Sequence, residues 1–119
     1  MIMTHKEILL KGNAAIAAGN NEGFLIFCTE DTEWTFIGEQ VLQGKQAVRD
    51  WMEKTYVKPP EVKVDDLISE GNKLVAAGEL VMYDKNGKPG HFEYCDVWTF
   101  REGLIAGLKA FVVANEDRR

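Results

Sequence analysis

Three turn signals divide the second half of the chain into four long segments of strand character. The turn signals are Gly71-Asn72, Asn86-Gly87 and Glu102-Gly103. The segments that they separate are residues 61–70, 73–83, 88–100 and 104–114. Asn-Gly is a strong hairpin signal, and these segments are longer than the five or six residues of a usual strand. Three glycines could mark bends or bulges: Gly78, Gly90 and Gly107. The second half therefore predicts a curved antiparallel sheet.

The first half of the chain has helical patterns. A capping-box spacing in residues 4–7 predicts a helix that begins at Thr4 and ends near residues 19–21. Asn20 or Asn21 could cap a short second helix. Residues 32–37 predict a strand that ends at Gly38, and a third helix is expected from Gly44 to about Tyr56, because two prolines follow. Helices followed by strands favour an α+β fold over alternating β-α-β units.

Composition is that of one globular domain, residues 1–119. Hydrophobic residues make up 45% and charged residues 28% of the chain, which has a net charge of −5 and no basic cluster. These values argue against nucleic-acid and anionic-membrane partners, and no apolar run is long enough to span a bilayer. With no signal-peptide pattern, Cys28 and Cys95 are expected to be free thiols in a cytoplasmic protein. The polar residues 115–119 are expected to fray.

Asp96 lies in a row of aromatic residues. Strand alternation places it on one face of segment 88–100 together with four rings: Phe92, Tyr94, Trp98 and Phe100. A carboxylate among apolar rings is poorly solvated, so it is either paired, protonated or used in chemistry. The alternatives are a structurally paired or solvated aspartate and a functional site, where a raised pKa would favour the neutral acid.

The order of these elements resembles the nuclear transport factor 2-like superfamily, in its SnoaL-like and ketosteroid isomerase-like branch. The matching pieces are residues 17–20, 27–34, 44–51, 95–100 and 103–105. The resemblance covers nearly the whole chain. It implies a cone-shaped α+β barrel, in which a curved antiparallel sheet wraps around three N-terminal helices. It also implies a pocket for a small apolar molecule and a homodimer through the outer sheet face.

The resemblance assigns a role to Asp96 but not to the other residues of ketosteroid isomerases. Asp96 matches their protonated oxyanion-hole aspartate and lies near the acid–base aspartate of SnoaL-type cyclases. In an ungapped register, the base position falls at Thr35 and the tyrosine position of the first helix falls at Gly12. Neither residue can perform the required step, so ketosteroid isomerase activity itself is not expected.

Two further titratable residues have open assignments. Glu79 could face the pocket and act with Asp96 as a second carboxylate, or it could lie on the solvated outer face. His91 is five residues before Asp96, which places it on the opposite face unless a bulge intervenes. It is then an exposed histidine rather than a general base.

Several aromatic side chains could line the pocket. The candidates for substrate binding are Trp34, Tyr56, Tyr94 and Trp98, whereas Trp51 is expected in the core. No metal ligand set and no phosphate-binding loop is visible in the sequence, so neither a metal nor another cofactor is expected.

Two functions compete. The first is a cofactor-independent isomerase, cyclase, hydratase or hydrolase in which Asp96 transfers a proton or stabilises an oxyanion. The second is a dimeric pocket protein that binds its ligand without changing it. A dimerisation scaffold with a filled cone is a third possibility.

Overall fold

The computed structural model describes residues 2–115, which form three helices and six strands. The helices are α1 (His5–Ala17), α2 (Glu22–Leu25) and α3 (Lys45–Thr55). The strands are β1 (Cys28–Phe36), β2 (Gln40–Gln43), β3 (Glu61–Glu70), β4 (Lys73–Tyr83), β5 (Pro89–Arg101) and β6 (Leu104–Ala114). Fraying was predicted for residues 115–119, and all of these except Asn115 lie outside the described range.

The local signals explain where the helices begin. Thr4 caps α1: its side chain accepts a hydrogen bond from the Glu7 backbone N–H, and the Glu7 carboxylate accepts one from the Thr4 N–H. Ahead of α2, the Asn20 side chain accepts a hydrogen bond from the Gly23 N–H at 3.0 Å, which leaves Asn21 without a side-chain cap. Gly44 precedes α3 with a positive φ of 92°. The prediction of three helices is confirmed.

All six described strands belong to one sheet, in the order β2-β1-β6-β5-β4-β3. The chain from β3 to β6 is the predicted antiparallel meander, and its strand ends agree with the sequence prediction within one residue. The sheet is open, with β2 and β3 at its edges. The expected α+β fold is confirmed; one difference is that β1 pairs with β6 in parallel.

Two of the three expected glycine irregularities occur. Gly78 lies at a bulge in β3, where the register with β4 shifts between Val64 and Asp66. Gly107 lies beside register shifts of β6 with both of its neighbours. Gly90 pairs regularly with Met82, so the suggestion of a bulge there is wrong. These irregularities interrupt the ladder where the sheet bends around the helices.

Candidate functional site

A cavity of about 570 Å³ lies between the inner face of the sheet and the helices. One wall comes from α1 through Leu9 and Ile16, and another from α3 and the residues that follow it. The sheet supplies alternate residues of its central strands, such as Leu80 of β4 and Leu108 of β6. Small-molecule sites in proteins have volumes of several hundred Å³. The space between the sheet and the helices is therefore large enough for a small molecule and is not filled by side chains.

Aromatic rings form much of the cavity wall. The rings of Trp34 and Trp98 meet edge to face with centroids 5.5 Å apart, and Tyr56 packs edge to face against Trp51 at 5.3 Å. All three tryptophans of the chain line the cavity. The indole nitrogens of Trp34 and Trp98 are buried and have no hydrogen-bond partner within residues 2–115. Polar groups left without partners are typical of sites that a ligand or water completes.

Asp96 lies at the centre of the sheet, with its side chain in the cavity. Its neighbours on the adjacent strands are Ala76 and Ala110, which are small and almost fully buried. Tyr94 and Trp98 flank it along β5 on the same face. The short alanine side chains leave room above the carboxyl group, whereas the rings on either side keep bulk water away.

The carboxyl group of Asp96 has no hydrogen bond and no ion pair within the described residues. Burial raises the pKa of Asp96 from 3.8 to about 7. The side chain is only half-buried by surface area, because the surface that it exposes is that of the cavity. The reading of Asp96 as a structurally paired aspartate is therefore wrong. A carboxyl with a pKa near neutrality can both accept and donate a proton at pH 7.

Two tyrosines near Asp96 differ in what their hydroxyl groups bind. The Tyr94 hydroxyl donates to the backbone oxygen of Lys63 at 3.0 Å, so it is committed to the wall. The Tyr56 hydroxyl has no hydrogen-bond partner in the described part of the chain. Burial and, to a smaller extent, the charge of Asp96 raise the pKa of Tyr56. Tyr56 is thus a neutral donor within the electrostatic range of Asp96.

The structure brings together five of the six residues that the sequence suggested for a site. Asp96 and the four aromatic residues, Trp34, Tyr56, Tyr94 and Trp98, all line the cavity. Trp51, which was expected only in the core, lines it as well.

Glu79 does not reach the cavity. The residues of β4 that line it are Ala76, Leu80 and Met82, so alternation turns Glu79 to the outer face. There its carboxylate lies 3.6 Å from the Lys63 ammonium group. The expectation that Glu79 could serve as a second carboxylate beside Asp96 is wrong, and the outer-face alternative is the correct one.

His91 is also on the outer face, where it pairs with Val81 in the adjacent strand. No bulge between Gly90 and Asp96 alters the alternation. His91 lines a second depression together with Glu79 and does not line the cavity, so it is not positioned as a base for chemistry there.

Asn13 is a cavity residue that was not among the candidates suggested by the sequence. This residue lines the cavity from α1, on the same face as Leu9 and Ile16. Its signal in the sequence is a polar residue four positions after Leu9 and three before Ile16, within the apolar stripe of α1. Gly12, the position suggested for the isomerase tyrosine, instead packs on Phe24: a Cβ there would lie 2.6 Å from the ring. Thr35 does not line the cavity, whereas its neighbours Trp34 and Phe36 do.

Among residues 2–115, no group of three or more His, Cys, Asp and Glu side chains is arranged to hold a metal ion. In that same range, no helix combines the length and apolar character needed to cross a membrane.

Asp96 gives the stability of the protein a specific pH dependence. Its pKa is higher in the folded state than in the unfolded chain, so the folded state binds more protons between about pH 4 and pH 7. The free energy of unfolding should therefore fall as the pH rises through this window, by about 1.4 kcal/mol per unit of pKa shift. The Asp96→Asn variant lacks this titration.

Urea unfolding of both proteins from pH 4 to pH 8 tests this expectation. The variant should gain stability relative to the wild type as the pH rises, and a carboxyl NMR titration should place the wild-type midpoint near 7. A stability difference that is independent of pH, or a midpoint near the ordinary value of about 4, would contradict it.

Solved structures of similar fold include two described as enzymes and one of unknown function. The epoxide hydrolase/cyclase-like enzyme SalBIII, described for pyran ring formation in the polyether salinomycin, has a TM-score of 0.82 at 21% identity, covering 91% of this chain and 89% of its own. An LEH-like epoxide hydrolase from M. tuberculosis has a TM-score of 0.79 at 12% identity, covering 89% and 80%. An NTF2-like protein of unknown function from Cytophaga hutchinsonii has a TM-score of 0.72 at 23% identity, covering 89% and 96%. These likenesses establish the fold.

No curated protein matches the chain. The profile of the SnoaL-like domain matches residues 11–108, which include the second half of α1, all of α2 and α3, most of the sheet and Asp96. The chain therefore belongs to the SnoaL-like domain family.

Proposed function

We propose that this protein is a cofactor-independent acid–base enzyme that acts on a small, largely apolar molecule in the cavity. Asp96 is the proton-transfer group. The classes of reaction compatible with one such group are isomerisation, cyclisation, hydration and hydrolysis. The proposal extends to a cytoplasmic setting, which the free thiols of Cys28 and Cys95 support.

The observation that carries the proposal is the isolated carboxyl of Asp96 at the floor of an aromatic cavity. Evolution of a stable core would favour an apolar residue here, because a buried carboxyl without partners destabilises the folded state. Strongly perturbed ionisable groups in clefts are concentrated at functional sites. At pH 7 both protonation states of Asp96 are populated, as its pKa of about 7 requires.

The proton-transfer step is simple to write. In its charged form, Asp96 takes a proton from a carbon or oxygen atom of the substrate, whose bonding electrons remain on the substrate. In hydration and hydrolysis it takes the proton from an attacking water molecule instead, whose oxygen then forms the new bond to the substrate. In its neutral form, Asp96 returns that proton to another atom or donates a hydrogen bond to a developing oxyanion. The named activities of the two enzymes of similar fold make hydrolase and cyclase chemistry the first to test.

A ligand-binding protein without catalysis is the alternative, and one observation favours it. Asp96 is the only carboxyl group in the described interior of the cavity, since Glu39 lies exposed at the mouth. Many acid–base reactions use two groups of separated pKa values. A pocket with one such group can bind a polar atom of a ligand without supplying both proton transfers.

A panel of small epoxides and cyclic ketones, followed by NMR for binding and for conversion, tests the two functions. The enzyme proposal expects at least one compound that both binds and is converted. Compounds that bind without conversion across the panel would favour the ligand-binding alternative.

We also propose that two copies of the chain associate through the outer face of the sheet. Apolar residues of this face are exposed, including Ile68, Phe111 and Val113. The face extends across the central strands through Val75 and Val97, which are partly exposed. An exposed sheet face that carries several apolar side chains is typically covered by a partner, and a second copy is the simplest partner.

Sedimentation velocity at micromolar concentration should show a particle of twice the 13.4 kDa chain mass. Phe111→Glu places a charge in the proposed interface and should shift the protein to monomer. Leu10→Glu is the matched control, because Leu10 is similarly exposed but lies on α1. A wild-type particle of 13.4 kDa would contradict the proposal.

A further inference from the structure

Among the polar side chains that line the cavity, which also include Gln40 and Thr55, three come from three different walls. Asn13 comes from α1, Tyr56 from the residue that follows α3, and Asp96 from β5. None of the three has a hydrogen bond or ion pair to another of the described residues. A few convergent polar groups in an otherwise apolar pocket are the arrangement by which binding sites orient their ligands.

Asn13 has no structural reason for its position. It is half-buried and shares its helix face with Leu9 and Ile16, where an apolar residue would pack at lower cost. Asparagine is also a poorer helix former than leucine. Its amide offers two donors and one acceptor, and all three are free to meet a group in the cavity. The amide therefore has a partner outside the described protein atoms: water or a ligand.

The Tyr56 hydroxyl, like the Asn13 amide, has no hydrogen-bond partner among the described residues, and in this it differs from the Tyr94 hydroxyl. Both line the cavity, but only the Tyr94 hydroxyl is bound to the protein, through the Lys63 carbonyl. The ring of Tyr56 is fixed by its contact with Trp51, so its hydroxyl is held in place without a partner of its own. A donor that is held in this manner loses little entropy when it binds an acceptor.

Charge limits what the ligand can be. Besides Asp96, the charged residues that line the cavity are Lys54 and Glu39, and both are exposed at its mouth. An anionic ligand would find no cation in the described interior and would lie near Asp96. The aromatic wall suits a ring, and the neutral donors of Asn13 and Tyr56 suit an oxygen atom.

We infer that the ligand is an uncharged ring compound with a carbonyl or hydroxyl oxygen, and that Asn13 and Tyr56 distinguish it from the corresponding hydrocarbon. The inference rests on the proposed function only in taking the cavity as the binding site. It assigns Asn13 and Tyr56 as specificity-determining residues and leaves proton transfer to Asp96.

The test uses three shape-matched probes: 1-indanone, indane and 1-aminoindane. Binding is followed by the indole N–H signals in 15N NMR spectra, since all three tryptophans of the chain line the cavity. The readout is the ratio of the 1-indanone and indane affinities. In Asn13→Leu and in Tyr56→Phe this ratio should fall about 3- to 10-fold, the usual effect of one neutral hydrogen bond.

Two controls separate recognition from packing. Tyr83→Phe removes a tyrosine hydroxyl that bonds to Glu61 and does not line the cavity, so the affinity ratio should not change. Lys11→Leu adds a leucine to the exposed side of α1 and should also leave the ratio unchanged. Asn13→Ala provides a second variant if the leucine side chain fills the cavity.

The inference is overturned if the affinity ratio is unchanged in both cavity variants, or if 1-aminoindane binds as tightly as 1-indanone. The latter result would indicate a cationic ligand paired with Asp96. The experiment measures binding alone, so its failure is distinguishable from an absence of turnover, which bears on the proposed function.

Discussion

Replacing Asp96 with Asn should reduce turnover by about 10²- to 10⁴-fold, the scale of one general acid–base group, while ligand affinity stays within a few-fold of the wild-type value. Asparagine has nearly the same shape as aspartate and can still donate a hydrogen bond, but it cannot transfer a proton at neutral pH. The expected signature is therefore a loss in kcat without a matching rise in Kd. The affinity is measured by NMR with a converted substrate from the panel of epoxides and ketones.

The pH profile of the wild type identifies the role of Asp96. If Asp96 acts as a base, kcat/KM should rise with pH through about 7, the pKa set by burial; if it acts as an acid, kcat/KM should fall through the same value. Asp66→Asn is the matched control, because Asp66 is an exposed strand carboxylate that pairs with Ala77 on the outer side of the sheet. Full activity in Asp96→Asn would refute the proposed role.

Gly78→Ala should destabilise the protein by about 2–4 kcal/mol, the sum of overpacking and a lost hydrogen bond. A Cβ atom at Gly78 would lie 1.9 Å from the backbone oxygen of Lys63, which cannot move without distorting the bulge in β3. That oxygen also accepts the hydrogen bond of the Tyr94 hydroxyl. Moving the carbonyl would thus disturb the cavity wall next to Asp96.

Urea unfolding compares Gly78→Ala with Gly107→Ala, a matched strand glycine. At Gly107 the nearest atom to a new Cβ is the Glu33 oxygen at 3.5 Å, an ordinary contact, so the effect should stay below about 1 kcal/mol. Tyr94→Phe removes the donor of the hydrogen bond between the Tyr94 hydroxyl and the Lys63 carbonyl. Its effect should be non-additive with that of Gly78→Ala if both act through the Lys63 carbonyl. Equal stability of the two glycine variants would contradict this account.

Local patterns in the second half of the chain were sufficient to locate its strands. Each turn there has its own chemical signal, and antiparallel neighbours are consecutive in sequence, so β3 to β6 could be predicted within one residue. The edge strand β2 was missed, because Gln40–Gln43 is short and carries only two apolar residues between polar ones. The start of β1 was placed at residue 32 instead of Cys28, because the strand begins where Cys28 pairs with Ile105 of the distant β6, a contact that no local pattern indicates.

The sequence by itself determined which side chains share a strand face, because alternation along one strand is a property of the backbone. It placed Asp96 in its aromatic row for this reason. It did not determine which face of β4 joins that row, since this depends on the register that pairs Ala76 with Asp96. The tertiary structure alone turned Glu79 outward, brought Asn13 and Tyr56 to the same cavity, and left the carboxyl of Asp96 without a partner. These features depend on how helices from the first half pack over strands of the second, a long-range arrangement that no local pattern specifies.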